Sequence, residues 1–133
     1  MKVSAVVDPI LDAFSWDVYS KLRGQFAGIL DSRCYTMDWL DSQILGGAFQ
    51  LWAAHDAALI TEIKPYPTGA IDVHVMAAAG NLETIIGELR ERAEEWSRAK
   101  GCLGVIVESR IGWGPALKKH GYRSHQFTVR KEF

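Results

Sequence analysis

Two spacings of apolar residues alternate along the chain. From Asp8 onward Ile10, Leu11, Phe14, Val18, Leu22 and Phe26 recur every three or four positions, the period of a helix with one buried side. Asp8 is a suitable cap, Pro9 suits the first turn, and Gly24 or Gly28 predicts the end. A second, shorter helix is predicted after Thr36, with Met37, Leu40 and Ile44 on one side and Gly46 and Gly47 as its stop.

The period then drops to two. In "AFQLWAAH", Phe49, Leu51 and Ala53 alternate with Gln50, Trp52 and Ala54, and after a turn at Asp56 the segment "ALITEIK" predicts a second strand. Pro65, Pro67 and Gly69 mark another turn. Beyond it Ile71, Val73 and Val75 alternate with Asp72, His74 and Met76, so the three strands form an antiparallel meander. Matching the apolar faces of the last two strands predicts Glu62 near Asp72 and Ile60 near His74, with Glu62, Asp72 and His74 on one face.

Helical spacing returns after Asn81, a good cap, with Leu82, Ile85, Ile86, Leu89, Ala93 and Trp96 in one stripe and Gly101 as the stop. The run Cys102 to Val107 is almost wholly apolar, as in a strand covered on both faces, and strand, helix, buried strand is a β-α-β unit. A short helix around Pro115 ends at Gly121. Phe127, Val129 and Phe133 then alternate with Thr128, Arg130 and Glu132, which predicts a final strand. The order α, α, β, β, β, α, β, α, β is an α+β fold with a mixed sheet and helices on both of its faces, in a single domain over residues 1–133.

Composition narrows the class. The chain has 133 residues, 48% hydrophobic and 23% charged, enough for one ordinary core. Two cysteines, Cys34 and Cys102, form no disulfide framework and no metal-ligand spacing, which suits a reducing, cytoplasmic compartment. The start is too briefly apolar for a secretory signal, and no apolar run approaches a membrane span. Charge is uneven. Residues 1–80 carry five Lys or Arg against nine Asp or Glu, and residues 81–133 carry ten against seven. A basic end can attract phosphate, yet no aromatic platform motif accompanies it, so nucleic acid is an unfavoured partner; a protein partner or self-association fits better.

The text "RAKGCLGVIVES" followed by "ALKKHGY" resembles the GCN5-related N-acetyltransferase (GNAT) family, as does the element order from about residue 10 to the end. More narrowly, Leu51–Trp52, "TEIKPYP" and "SRIGW" look like short GNAT-related proteins encoded in tailed-phage and prophage virion gene clusters. The resemblance implies a GNAT fold with a central β-α-β unit and, if the chain is active, acetyl-CoA as cofactor. It would place that cofactor along Met76, Asn81, Thr84, Arg110 and Lys118, and proton transfer on Glu62, His74 and Tyr122.

The chain departs from the family pattern where the family holds the diphosphate. A glycine-rich loop lets backbone approach phosphates at a helix N-terminus. Here the matching stretch is "NLETII", with Leu82, Thr84 and Ile86 where compact residues are expected and Glu83 adding negative charge. Leu117 stands at the position of the family's tyrosine acid, and Arg110 where many members have Asn. Arg110 could grip a phosphate or carboxylate bidentately, or pair with Glu108 or Glu62 beneath Trp113. These departures predict a non-catalytic GNAT-like module with a structural, assembly or binding role and no cofactor. The alternative is a divergent acetyl-CoA-dependent N-acyltransferase relying on Arg110, Lys118 and Lys119.

Overall fold

A computed structural model describes residues 8–108 and 113–133. Two helices come first, α1 (Ala13–Ile29) and α2 (Met37–Leu45). The meander follows as β1 (Phe49–Ala54), β2 (Ala57–Pro65) and β3 (Ile71–Gly80). Residues 82–99 form α3, assembled from an α-helical turn Leu82–Thr84, a π-helical turn Ile85–Leu89 and an α-helix Arg90–Ala99. A short β4 (Val105–Val107) and α4 (Gly114–Lys118) complete the regular structure.

The sheet order is β1-β2-β3-β4, antiparallel except for the parallel β3–β4 pair that α3 connects. Strand alternation splits its side chains between two cores. Phe49, Leu51, Ala58, Ile60 and Ala77 pack with Val18, Tyr19 and Phe26 of α1 and Leu40 and Ile44 of α2. On the other face Trp52, Leu59, Val73, Val75 and Ala78 pack with Ile85, Leu89, Ala93 and Trp96 of α3. Both faces are therefore covered, as the helix pattern predicts. None of the described helices is long and apolar enough to cross a membrane.

Several expectations change. The cap of α1 is Asp12, not Asp8: its carboxylate accepts from the Ser15 amide at 2.8 Å, while Asp8 instead accepts from the Trp96 indole at 2.9 Å. The helix also runs through Gly24 and Gly28 to Ile29. Leu82 lies outside the buried stripe, half exposed, whereas Ile85, Ile86 and Leu89 sit inside it. The Cys102–Val107 run yields a three-residue strand, Val105–Val107, and its residues are only half-buried because among the described residues β4 is an edge strand with β3 as its one neighbour. The predicted final strand does not form: residues 123–133 are irregular and exposed.

The β2–β3 register also differs. Glu62 pairs with His74 and Lys64 with Asp72, two residues along from the predicted pairing. The hairpin turn is the cause. Tyr66 donates its amide to Ala70 and Gly69 donates back to Tyr66, with Gly69 at a φ of 87° that glycine adopts without strain. This closes the strands at Pro65 and Ile71, one residue later on average than the proline spacing suggests.

Candidate functional site

Across β2, β3 and β4 a line of polar groups faces the α1–α2 side of the sheet. His74 Nδ1 lies 2.8 Å from Glu62 Oε1, and His74 Nε2 lies 3.3 Å from Glu108 Oε1. The first contact is a hydrogen bond. The second is an ion-pair approach without hydrogen-bond geometry, which leaves Nε2 a buried nitrogen with no hydrogen-bond partner among the described residues. Asp72, two residues along the same face, accepts instead from the Tyr66 hydroxyl at 2.6 Å. The structure thus unites Glu62 with His74 and adds Glu108, but gives Asp72 a separate partner.

Next to His74 the ladder breaks. Thr61 pairs with Val75 and Ile60 with Ala77, so Met76 is the extra residue of a β-bulge. Val75 packs toward α3, and both Met76 and Ala77 turn toward α1 and α2. Among the described residues, pairing of β3 with β4 runs to Val75 and Val107, and Ala77 to Gly80 pair with β2. The bulge thus lies one residue past the parallel ladder, at the carboxyl edge where open α/β sheets take ligands.

Beyond the bulge comes the junction of β3 and α3. Asn81 is the only residue between strand and helix. Gly80 has a φ of 102°, and a Cβ there would sit 2.2 Å from the Asp56 carbonyl oxygen. Asn81 Oδ1 accepts from the Thr84 amide at 3.2 Å, and the Asn81 amide donates to Asp56 O at 2.9 Å. Thr84 Oγ1 donates to Asp56 Oδ2 at 3.2 Å. The helix N-terminus is thus capped by this chain's own side chains, with the carboxylates of Asp56 and Glu83 beside it. A phosphate would meet like charge there, and the Thr84 amide is already used.

The remaining site residues scatter. The Tyr122 hydroxyl donates to Glu94 Oε2 at 3.0 Å on the α3 side, so it lies on the opposite face of the sheet from His74. Burial, then the Glu94 charge, pushes the Tyr122 phenol well above its ordinary value of 10.0. A phenol that holds its proton so firmly is a poor acid for a departing thiolate. Leu117 is 7% exposed and packs in the core. Lys118 is exposed on α4, and Arg110 lies outside the described residues. Between α3, β4 and α4 the apolar cavity bounded by Val75, Ile86, Val107, Trp113 and Leu117 measures about 20 Å³, room for about one water molecule.

Sequence reasoning missed Glu108 and Asp56. Glu108 carries a readable signal, since it shares the strand parity of Ile106, the cross-strand partner of His74. Asp56 carries none, because its role depends on a turn meeting the end of a strand 24 residues later.

No family model matches the sequence, and no curated protein is recognisably similar to it. Solved structures are similar in fold. An acetyltransferase from Trypanosoma brucei aligns with a TM-score of 0.65 at 17% identity, covering 92% of this chain and 96% of its own. A GCN5-related N-acetyltransferase from Ralstonia eutropha aligns with a TM-score of 0.65 at 15% identity, covering 89% and 92%. A predicted acetyltransferase from Clostridium acetobutylicum, solved with acetyl-CoA, aligns with a TM-score of 0.59 at 8% identity, covering 90% and 88%. Together with the bulged β3, its parallel pairing with β4 and the connecting α3, these alignments identify the fold of the chain as that of the GCN5-related N-acetyltransferases.

Proposed function

We propose that this chain is a GNAT-fold protein with a binding or assembly role, and that it does not hold an acyl-CoA diphosphate at α3. The observation that carries the reading is the tight junction at Gly80 and Asn81, whose amides both bond within the chain, to Gln25 and Asp56, and whose surroundings are acidic. Support also comes from Leu117 in the core, from Tyr122 bonded to Glu94, and from the small cavity beside β4. The Leu51–Trp52, "TEIKPYP" and "SRIGW" segments support an assembly role of the phage type, and two unpaired cysteines suit a cytoplasmic location. Calorimetric titration of the full chain with acetyl-CoA tests the reading. We expect no binding heat and no shift in Tm; micromolar binding displaced by free CoA would overturn it.

A second reading, a divergent N-acyltransferase, is favoured by one specific arrangement. His74 lies between Glu62 and Glu108 two residues before the bulge, a placement suited to moving a proton at the carboxyl edge of the parallel pair. The acetyltransferase fold of the similar structures supports it too. On this reading acetyl-CoA binds in the same titration, and His74→Ala abolishes acetyl transfer to a panel of primary amines while leaving cofactor affinity intact.

A further inference from the structure

Helix α3 carries a π-helical turn, Ile85–Leu89, between ordinary α-helical segments, and its hydrogen bonds pass over one carbonyl. The Arg90 amide donates to Ile85 O and Gly87 O, not to Ile86 O, the acceptor four residues back that an α-helix uses. The Arg90 side chain takes that place, with Nε donating to Ile86 O at 2.5 Å. One residue thus supplies two donors that compete for a single carbonyl.

Arg90 is held in turn by its neighbours. Its Nη1 bonds Glu94 Oε2, which also accepts from the Tyr122 hydroxyl at 3.0 Å, while Arg98 reaches Glu94 Oε1 at 3.3 Å. The Arg90 and Glu94 side chains are only 17% and 14% exposed, and Arg90 borders the apolar cavity beside Val75, Trp113 and Leu117. Charges placed that deep have given up most of their hydration, so the loss of any one partner is felt by the others.

An all-α alternative has a definite consequence. Returning Ile86 O to the Arg90 amide would release the side chain and turn residues 82–85 by about 100° against Arg90–Ala99, with a shift of about 1.5 Å. There is no slack to absorb this, because β3 runs to Gly80 and only Asn81 precedes α3. The bonds from the Asn81 amide to Asp56 O and from the Thr84 hydroxyl to Asp56 Oδ2 would part. From these observations we infer that residues 85–90 are a two-state π/α element, pinned in the π form by the Arg90 side chain, through which Glu94 and Tyr122 control whether the start of α3 stays closed against Asp56. The inference concerns the free chain and does not depend on whether an acyl donor binds.

Amide hydrogen exchange of the full chain, read residue by residue by NMR, tests it. Arg90→Met keeps the aliphatic stem and removes the donors; the Asn81 and Thr84 amides should then exchange at least about tenfold faster, with a smaller change along the β2–β3 ladder. Tyr122→Phe keeps the ring and loses only the hydroxyl, and the same two amides should speed up at least about threefold. Scalar couplings across hydrogen bonds should place the Arg90 amide on Ile85 in the wild type and on Ile86 in Arg90→Met. Equal acceleration of Asn81, Thr84 and the strand amides would mean general destabilisation and would overturn the inference. So would wild-type couplings retained in Arg90→Met, or unchanged Asn81 and Thr84 exchange in Tyr122→Phe, the variant that carries the test if Arg90→Met does not fold.

Discussion

His74 Nδ1 and Glu62 Oε1 meet at 2.8 Å across the β2–β3 pair, two residues before the Met76 bulge. That contact locks the hairpin register at the point where the sheet stops being regular. A two-residue slip would leave a half-buried imidazole without its acceptor.

Removing the acceptor should therefore be felt in stability. Glu62→Ala is expected to cost about 1–2 kcal/mol, the usual effect of stripping a partner from a largely buried polar group. Glu62→Gln keeps an oxygen for Nδ1 and should cost less. Urea unfolding of the three proteins checks this, and equal losses for Ala and Gln would count against the bond.

Gly80→Ala should be the most damaging small substitution near the site. Its Cβ would fall 2.2 Å from Asp56 O and 2.7 Å from Ala57 Cα, at a φ of 102°. Both neighbours are backbone and cannot move aside cheaply. A loss of at least about 3 kcal/mol, or failure to fold, is expected in denaturant melts.

Thr61→Val probes the interior of the sheet. The Thr61 hydroxyl is fully buried, accepts from Trp52 Nε1 at 3.0 Å and donates to Gln50 Oε1 at 2.9 Å. Valine keeps the shape but leaves the indole N–H unpaired, which should cost about 1–3 kcal/mol. A stability within experimental error of wild type would show that Trp52 finds another acceptor.

Asp41 predicts an acid dependence. Burial opposes its ionisation, but hydrogen bonds from Arg23 at 2.8 Å and from the Tyr19 hydroxyl at 2.6 Å outweigh that and hold the carboxyl below its ordinary value of 3.8. A carboxyl whose value is lowered by folding stabilises the protein above the unfolded value, and that contribution disappears as pH falls through the lower, folded one. Asp41→Asn should accordingly be less stable than wild type at neutral pH, with a gap that narrows below about pH 4. Urea melts across that range measure it, and a gap that widens in acid would refute the assignment.

The candidate site was legible in part. Glu62 and His74 share a face because both fall on the polar beat of alternating strands, and that parity is written locally. Glu62 facing His74 rather than Asp72 was not legible, since it depends on how Tyr66 to Ala70 close the turn. Asn81 was readable as a cap, whereas the Asp56 carbonyl that receives its amide arrives from another hairpin. Tyr122 sits close to its expected helix, yet which face it occupies follows from Glu94 on α3.

Local chemistry alone determined the kind and order of most elements: the spacing of apolar residues separates helix from strand within a few positions, and it divided Leu51 from Trp52 between two cores correctly. Tertiary structure decided the hairpin register, the bulge at Met76, the closed helix start at Asn81 and the unpaired tail. Each of these depends on how whole segments meet, Asp56 with Asn81 or one strand with the next, where a shift of one or two residues changes no local preference but changes every contact.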